Sequence, residues 1–295
     1  MRIADYLRLL LLAAIWGASF LFMRIAVPQF GAINTAFLRV FFGFTGLAVI
    51  LFIFKSSFDF KDKFKSSVML GVINSGLPFL MYCLAAKWLP AGYSAILNAT
   101  TPLMGAVIGF AFFAEKLTFR KWAGMLLGIV GIIAIATIGE PLSAEKQIAG
   151  VIACLIATSC YAIAGFLTRS WISNKGGLDP KIVAFGSQIG ASFFLLPFFI
   201  WSTHSGPTVN WLQQEAWISV IAAGAICTAF AYILYFRLIA DIGPLRSLTV
   251  TFLIPPFGVL WGYMVLNETI NNGFVIGAII IGIAVWMVVS PEKNN

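Results

Sequence analysis

Residues 92–136 read GYSAILNATTPLMGAVIGFAFFAEKLTFRKWAGMLLGIVGIIAIA, two apolar spans joined by the polar stretch EKLTFRK. The stretch recurs. Shifted by 153 residues and without a gap, it meets residues 245–289, LRSLTVTFLIPPFGVLWGYMVLNETINNGFVIGAIIIGIAVWMVV. Ser94 falls on Ser247, Pro102 on Pro255, Gly105 on Gly258, Gly109 on Gly262, Glu115 on Glu268 and Gly124 on Gly277. The same shift carries Gly71 onto Gly224, Ile73 onto Ile226 and Tyr82 onto Tyr235. The chain is an internal duplication, and a repeat of this length constrains the architecture before any single motif does.

The composition says what medium the duplicated unit lives in. Sixty per cent of the residues are apolar and 10% charged, where a soluble domain carries about a quarter charged residues. Acid and base are nearly absent from stretches of about twenty residues, the length of helix that crosses a bilayer. In water, 295 residues offer no core large enough to bury so much apolar surface. The net charge of +8 would suit a nucleic-acid binder if it lay along one face. It lies instead in the joints between spans, so membrane topology explains it and no nucleic-acid partner is expected. Cys83, Cys154, Cys160 and Cys227 all fall inside apolar spans without metal-ligand spacing. They read as small apolar fillers, and no metal, cofactor or catalytic residue is expected.

Hydropathy predicts an all-α integral membrane protein of ten transmembrane helices, at 5–27, 32–54, 66–87, 92–113, 120–139, 147–170, 181–202, 215–238, 244–266 and 272–290. Arg2 and Arg8 precede the first apolar run as they would in a signal peptide, but the run continues to Val27, too long for one. The joint EPLSAEKQ (140–147) divides the chain into two five-helix repeats, 1–141 and 142–295. Five is odd, so the second repeat enters the membrane from the opposite side and the halves are inverted. That construction is common among secondary transporters.

Orientation follows from the basic residues, which concentrate in cytoplasmic joints. With the N-terminus inside, fifteen of the nineteen Lys and Arg residues fall on the inner side, leaving Arg24, Arg39, Lys87 and Lys146. Both termini are therefore expected in the cytoplasm, and the protein in the cell (inner) membrane as a multi-pass chain.

With these landmarks the sequence resembles the EamA family of the drug/metabolite transporter (DMT) superfamily over essentially its whole length. The resemblance rests on Ile15-Trp16-Gly17-Ala18-Ser19-Phe20 in helix 1, Leu38-Arg39 in helix 2, and the segment from Pro102 to Gly124 with its second copy from Pro255 to Gly277. It implies ten helices, cytoplasmic termini, a central cavity between the halves, and export of small metabolites. The second half departs in detail: Tyr161 stands at the counterpart of Trp16, and Ser187 or Gln188 near that of Arg39.

Polar side chains inside spans are costly and tend to face a cavity or another helix. The expected substrate-binding set is Trp16, Arg39, Asn74, Tyr82, Asn98, Tyr161, Gln188, Tyr232 and Tyr235, with Ser94, Thr101, Thr228 and Thr251 as weaker candidates that could equally bond their own helix backbone. The amides can donate and accept, the aromatic rings give walls with polar tips, and Arg39 can take an anionic group or hold a neighbouring helix. Arg24 and Arg169 read as anchors near helix ends. Glu115 and Glu268 sit at matched joints, each expected to complement the N-terminus of the helix that follows it, or to help close the two ends alternately. Pro102 and Pro255 are expected to break the ladders of helices 4 and 9. Pairs spaced as GxxxG (Gly105/Gly109, Gly258/Gly262, Gly124/Gly128, Gly273/Gly277) let helices approach closely, within the chain or in a homodimer through helices 5 or 10.

The function expected is alternating-access export of small amphipathic metabolites, amino acids or related compounds. A nucleotide-sugar-type carrier of the same superfamily is the alternative. A multi-span enzyme on lipid-linked substrate would want acids or histidines clustered at one membrane face, and here they are scattered over both.

Overall fold

The computed structural model describes residues 2–56, 58–115, 117–137, 144–243, 247 and 250–290. The expected end of helix 5, the boundary at 141/142 and the first residues of helix 9 lie outside them. Among the described residues the protein is all helix. The elements are α1 (Ile3–Ile53), α2 (Phe64–Ala85), α3 (Ala91–Phe112), α4 (Phe119–Thr137), α5 (Ala144–Trp171), α6 (Pro180–Ser205), α7 (214–242), α8 (Val250–Leu266) and α9 (Asn272–Val289). Seven helices among the described residues are long and apolar enough to cross a membrane, and α8 is a shorter apolar helix. Large side chains such as Phe52, Phe119, Ile279 and Trp286 stand exposed on the outer faces. Only a lipid surrounding accommodates such faces, and helices satisfy their backbone groups internally there. The chain is a multi-pass membrane protein.

The expected helices 1 and 2 are one continuous run, α1, that turns at Gly31 (φ 76°, ψ 163°). Glycine carries no Cβ to resist that left-handed φ, and Pro28 lies three residues earlier in the same bend. The helical ladder resumes at once, so no loop separates the two arms.

The duplication is visible in the backbone. Hydrogen bonding widens to the π pattern at Val72–Gly76 in α2 and at Ala222–Phe230 in α7, positions that the 153-residue shift superimposes. The ends of α3 and α8 also match. Ala114 and Asn267 take φ of 53° and 51°, and the amides of Glu115 and Glu268 bond back to the carbonyls of Gly109 and Gly262 at 3.0 and 3.1 Å.

Packing crosses between the two copies. A Cβ on Gly71 of α2 would run into the backbone of Ser187 on α6, and one on Gly190 into Val68. A Cβ on Gly224, the repeat of Gly71, would meet the Arg39 carbonyl oxygen at 2.7 Å and the Gly43 nitrogen at 2.8 Å in α1. Close approach of this kind lets van der Waals contact hold helices together where lipid offers no hydrophobic drive. The α4–α9 pair is built the same way: a Cβ on Gly124 would sit 3.0 Å from the Ala284 carbonyl oxygen, and one on Gly131 3.1 Å from that of Gly277. Gly124 and Gly277, two glycines of the expected dimer face, pack within the chain.

Candidate functional site

A cavity of about 1420 Å³ opens among α1, α2, α3, α5, α7, α8 and α9. Eight of the nine side chains expected to bind substrate line it: Trp16, Arg39, Asn74, Tyr82, Asn98, Tyr161, Tyr232 and Tyr235. Thr101, Thr228 and Thr251 line it as well. Asn74 and Thr228 sit on the two π segments. Widening at a π turn re-aims side chains, and such turns are frequent at functional sites. The sequence carries no local signal for them beyond the matched Gly71 and Gly224 that precede and open them.

Gln188, the ninth of the expected set, is not among the lining residues. It is fully buried outside the cavity lining, and its Nε2 donates to Ser75 Oγ at 3.0 Å. Its place is between α6 and the π segment of α2, because Gly43 leaves room for its amide: a Cβ there would lie 3.1 Å from Gln188 Oε1. Ser94 likewise faces a helix, accepting from the Cys154 thiol at 3.9 Å.

The polar side of the cavity is ordered by its own contacts. Tyr82 Oη donates to Asn98 Oδ1 at 2.8 Å, which fixes the amide so that its NH2 is the end left to donate. The Tyr82 ring lies 6.2 Å from that of Tyr161 and edge-on to Phe20 at 5.2 Å. Trp16 and Tyr235 pack at 5.4 Å. Pro102 and Pro255 both line the space, but only Pro255 lies within a helix interior, beside Pro256. Pro102 opens a new helical segment, Thr101–Phe112, after α3 breaks at Ala99–Thr100; its missing N–H falls where a helix has no partner for one.

Arg39 is 5% exposed and its guanidinium stacks 3.7 Å above the Phe79 ring. One nitrogen points at Met23 Sδ, 3.1 Å away, a weak acceptor. Its Nε has no hydrogen-bond partner, and no carboxylate pairs with it among the described residues. Neither Met23 nor Phe79 carried any sequence signal, since each reads as ordinary apolar filling.

The matched glutamates behave differently. Glu115 is exposed. Glu268 accepts from the Ala91 amide with both carboxylate oxygens at 2.9 Å, and Arg24 Nε stands 3.8 Å away. Arg24 also donates to the Ala86 carbonyl. The expected partner was the N-terminus of the following helix. The one found is the N-terminus of α3, because the left-handed Asn267 turns the chain back and Gly262 leaves the space: a Cβ there would collide with the carboxylate. Burial pushes the Glu268 carboxyl above its ordinary 4.5, opposed by the Ala91 amide and Arg24. Asn271 of the same joint donates to Tyr93 Oη at 2.7 Å, so this end of the cavity is tied across α1, α3 and the α8–α9 joint.

The chain is similar to several known proteins. It is 23% identical over 277 residues, 92% of each chain, to the uncharacterized transporter YoaV of Bacillus subtilis. It is 21% identical over 264 residues, covering 88% of this chain and 84% of the other, to a probable terminal-alkyne amino-acid exporter of Streptantibioticus cattleyicolor. A solved crystal structure superimposes with a TM-score of 0.63 over 98% of both chains at 14% identity, a likeness of fold alone. The model of the EamA-like transporter family matches residues 5–137 and again 148–290, and by those two matches the chain belongs to that family.

Proposed function

We infer that this transporter exports small carboxylate-bearing amphiphiles, amino acids or related compounds, by alternating access across the cell membrane. Arg39 is the observation that carries the reading. A guanidinium held inside a membrane protein without a counter-charge is costly, and a substrate carboxylate would supply both the charge and the bidentate hydrogen bonding that this group prefers. Asn98 and the tyrosines offer hydrogen bonds to the rest of a polar head. The protein from Streptantibioticus, named a probable terminal-alkyne amino-acid exporter, is in keeping with that chemistry.

The transport cycle rests on ten spans in two inverted halves, 1–141 and 142–295, with both termini cytoplasmic. Counting the two arms of α1 separately and adding α4 and α8 to the seven long helices brings the number to ten. The crossing pattern favours a two-fold relation, because α2 packs on α6 as its repeat α7 packs on α1. In this reading the Glu268 end faces outward and is closed, and Glu115 would make the matching tie when the inner end closes. A nucleotide-sugar carrier fits less well, since Arg39 is the only Lys or Arg among the described lining residues and a diphosphate needs more.

Uptake into liposomes holding the purified protein tests the reading, with matched pairs of carboxylates and their amides. Carboxylates should be taken up saturably and amides hardly at all, and Arg39→Gln should abolish the difference. Equal uptake of both classes, or a carboxylate preference intact in Arg39→Gln, would remove it.

A further inference from the structure

The cavity is larger than a small amino acid requires. Sites for small molecules run to about 300–1,000 Å³, against about 1420 Å³ here. The surplus lies on one side. Every polar lining residue named above belongs to α1, α2, α3, α5, α7 or α8, while α9 presents Phe274, Ile281, Gly282, Val285 and Trp286 before reaching Ser290 at its end. From Phe274 to Trp286 is about 18 Å of helix. The space exists because α8 and α9, although consecutive, scarcely touch among the described residues: α9 packs on α4 and α3, and α8 on α1 and α3. Gly282 leaves it open at mid-length, for nothing lies within 4 Å of where its Cβ would stand. Phe252 on one wall and Trp286 on the other are both lining residues and strongly exposed, 41% and 62%, so the limb is open rather than sealed between the two helices.

We propose that this limb between α8 and α9 holds the apolar tail of the substrate while its carboxylate pairs with Arg39, so that the preferred cargo is a monoanion with a long or bulky apolar tail that can enter from the membrane. The proposal rests on the carboxylate reading above and adds the second half of the ligand. Head and tail sites are continuous within one cavity, and their chemistry is complementary to an anionic amphiphile: the unpaired Arg39 at one end, and along the α9 face a run of carbon and glycine from Phe274 to Trp286, where the Arg120 guanidinium stacks on the Trp286 ring at 4.6 Å. Entry from the bilayer also avoids carrying a long apolar chain through water.

The test is a series of carboxylates sharing one head group and differing in tail length, measured in proteoliposomes with the wild type, Gly282→Ala and Gly282→Leu. Partition of each compound into lipid is the same for all three proteins, so it cancels in the comparison. The expected result is that Gly282→Leu lowers the ratio of long-tail to short-tail uptake by at least about tenfold, the equivalent of one lost apolar contact region, with Gly282→Ala between. A ratio unchanged in both variants means that the limb holds bilayer lipid only and overturns the proposal, as does a uniform loss at every tail length. Failure of the carboxylate reading is distinct: the amides would then be taken up as well as the acids by the wild type.

Discussion

Glu268 caps the helix that begins at Ala91, with both carboxylate oxygens 2.9 Å from the Ala91 amide nitrogen across 177 residues of sequence. The contact joins the start of α3 to the α8–α9 joint, and Arg24 brings α1 to the same point. A charge-assisted hydrogen bond contributes about 1.5–3 kcal/mol, enough to shift a balance between a closed and an open end by roughly tenfold or more. Removing it with Glu268→Ala should open that end. Cys227 lines the cavity, and with the other three cysteines replaced by Ala its alkylation by a polar thiol reagent added outside should speed up about tenfold. An unchanged rate would mean the tie does not gate access.

The same carboxyl has a pH signature. Burial raises its pKa above the ordinary 4.5. A group whose folded pKa is raised contributes stability that is present below the unfolded value and lost as pH rises through the folded one. Wild type should therefore lose stability relative to Glu268→Gln as pH climbs from about 4.3 through the raised value, with the two curves parallel above it. Thermal melts in detergent at stepped pH read this directly; parallel curves throughout would contradict it.

The Tyr82–Asn98 bond predicts a graded effect on binding. Asn98→Ala removes a donor to the substrate and should raise KM by about tenfold, corresponding to a hydrogen bond of about 1–1.5 kcal/mol. Tyr82→Phe keeps the amide but frees its orientation, and should raise KM less with maximal rate nearly intact. If Tyr82→Phe proved the more damaging, the hydroxyl itself would be the ligand.

The Gly71–Ser187 and Gly190–Val68 crossings predict a packing failure rather than a transport failure. Gly190→Ala would force α2 and α6 apart and cost about 3 kcal/mol, the upper range of overpacking. The melting temperature should fall by several degrees, while Gly105→Ala, where nothing lies within 4 Å, should leave it almost unmoved. Equal melting of the two variants would show that the crossing is not as close as the backbone positions require.

Much of the fold was legible because a bilayer enforces it residue by residue. An apolar run of twenty residues has one use, and the shift of 153 residues predicts which helices are counterparts. Trp16, Arg39, Asn74, Asn98 and Tyr161 could be picked out because a polar group inside a span must face something polar or aqueous. The same rule did not say where Gln188 would point, since a neighbouring Ser75 can take the amide NH2 in place of a cavity group, and sequence order does not say which helix lies alongside. It failed at Glu268 for a similar reason, as the nearest helix start in sequence was not the nearest in space.

The sequence by itself determined the medium, the duplication, the polar candidates and the family resemblance, all of which depend on the chemistry of residues in their own span. Tertiary structure decided that Arg39 lies over Phe79 without a counter-charge, that Glu268 holds α3, and that α8 and α9 part to leave an apolar limb. Those facts depend on which helices touch. In lipid that choice is made by close fit at a few glycines, and a fit between distant segments leaves no mark in either segment alone.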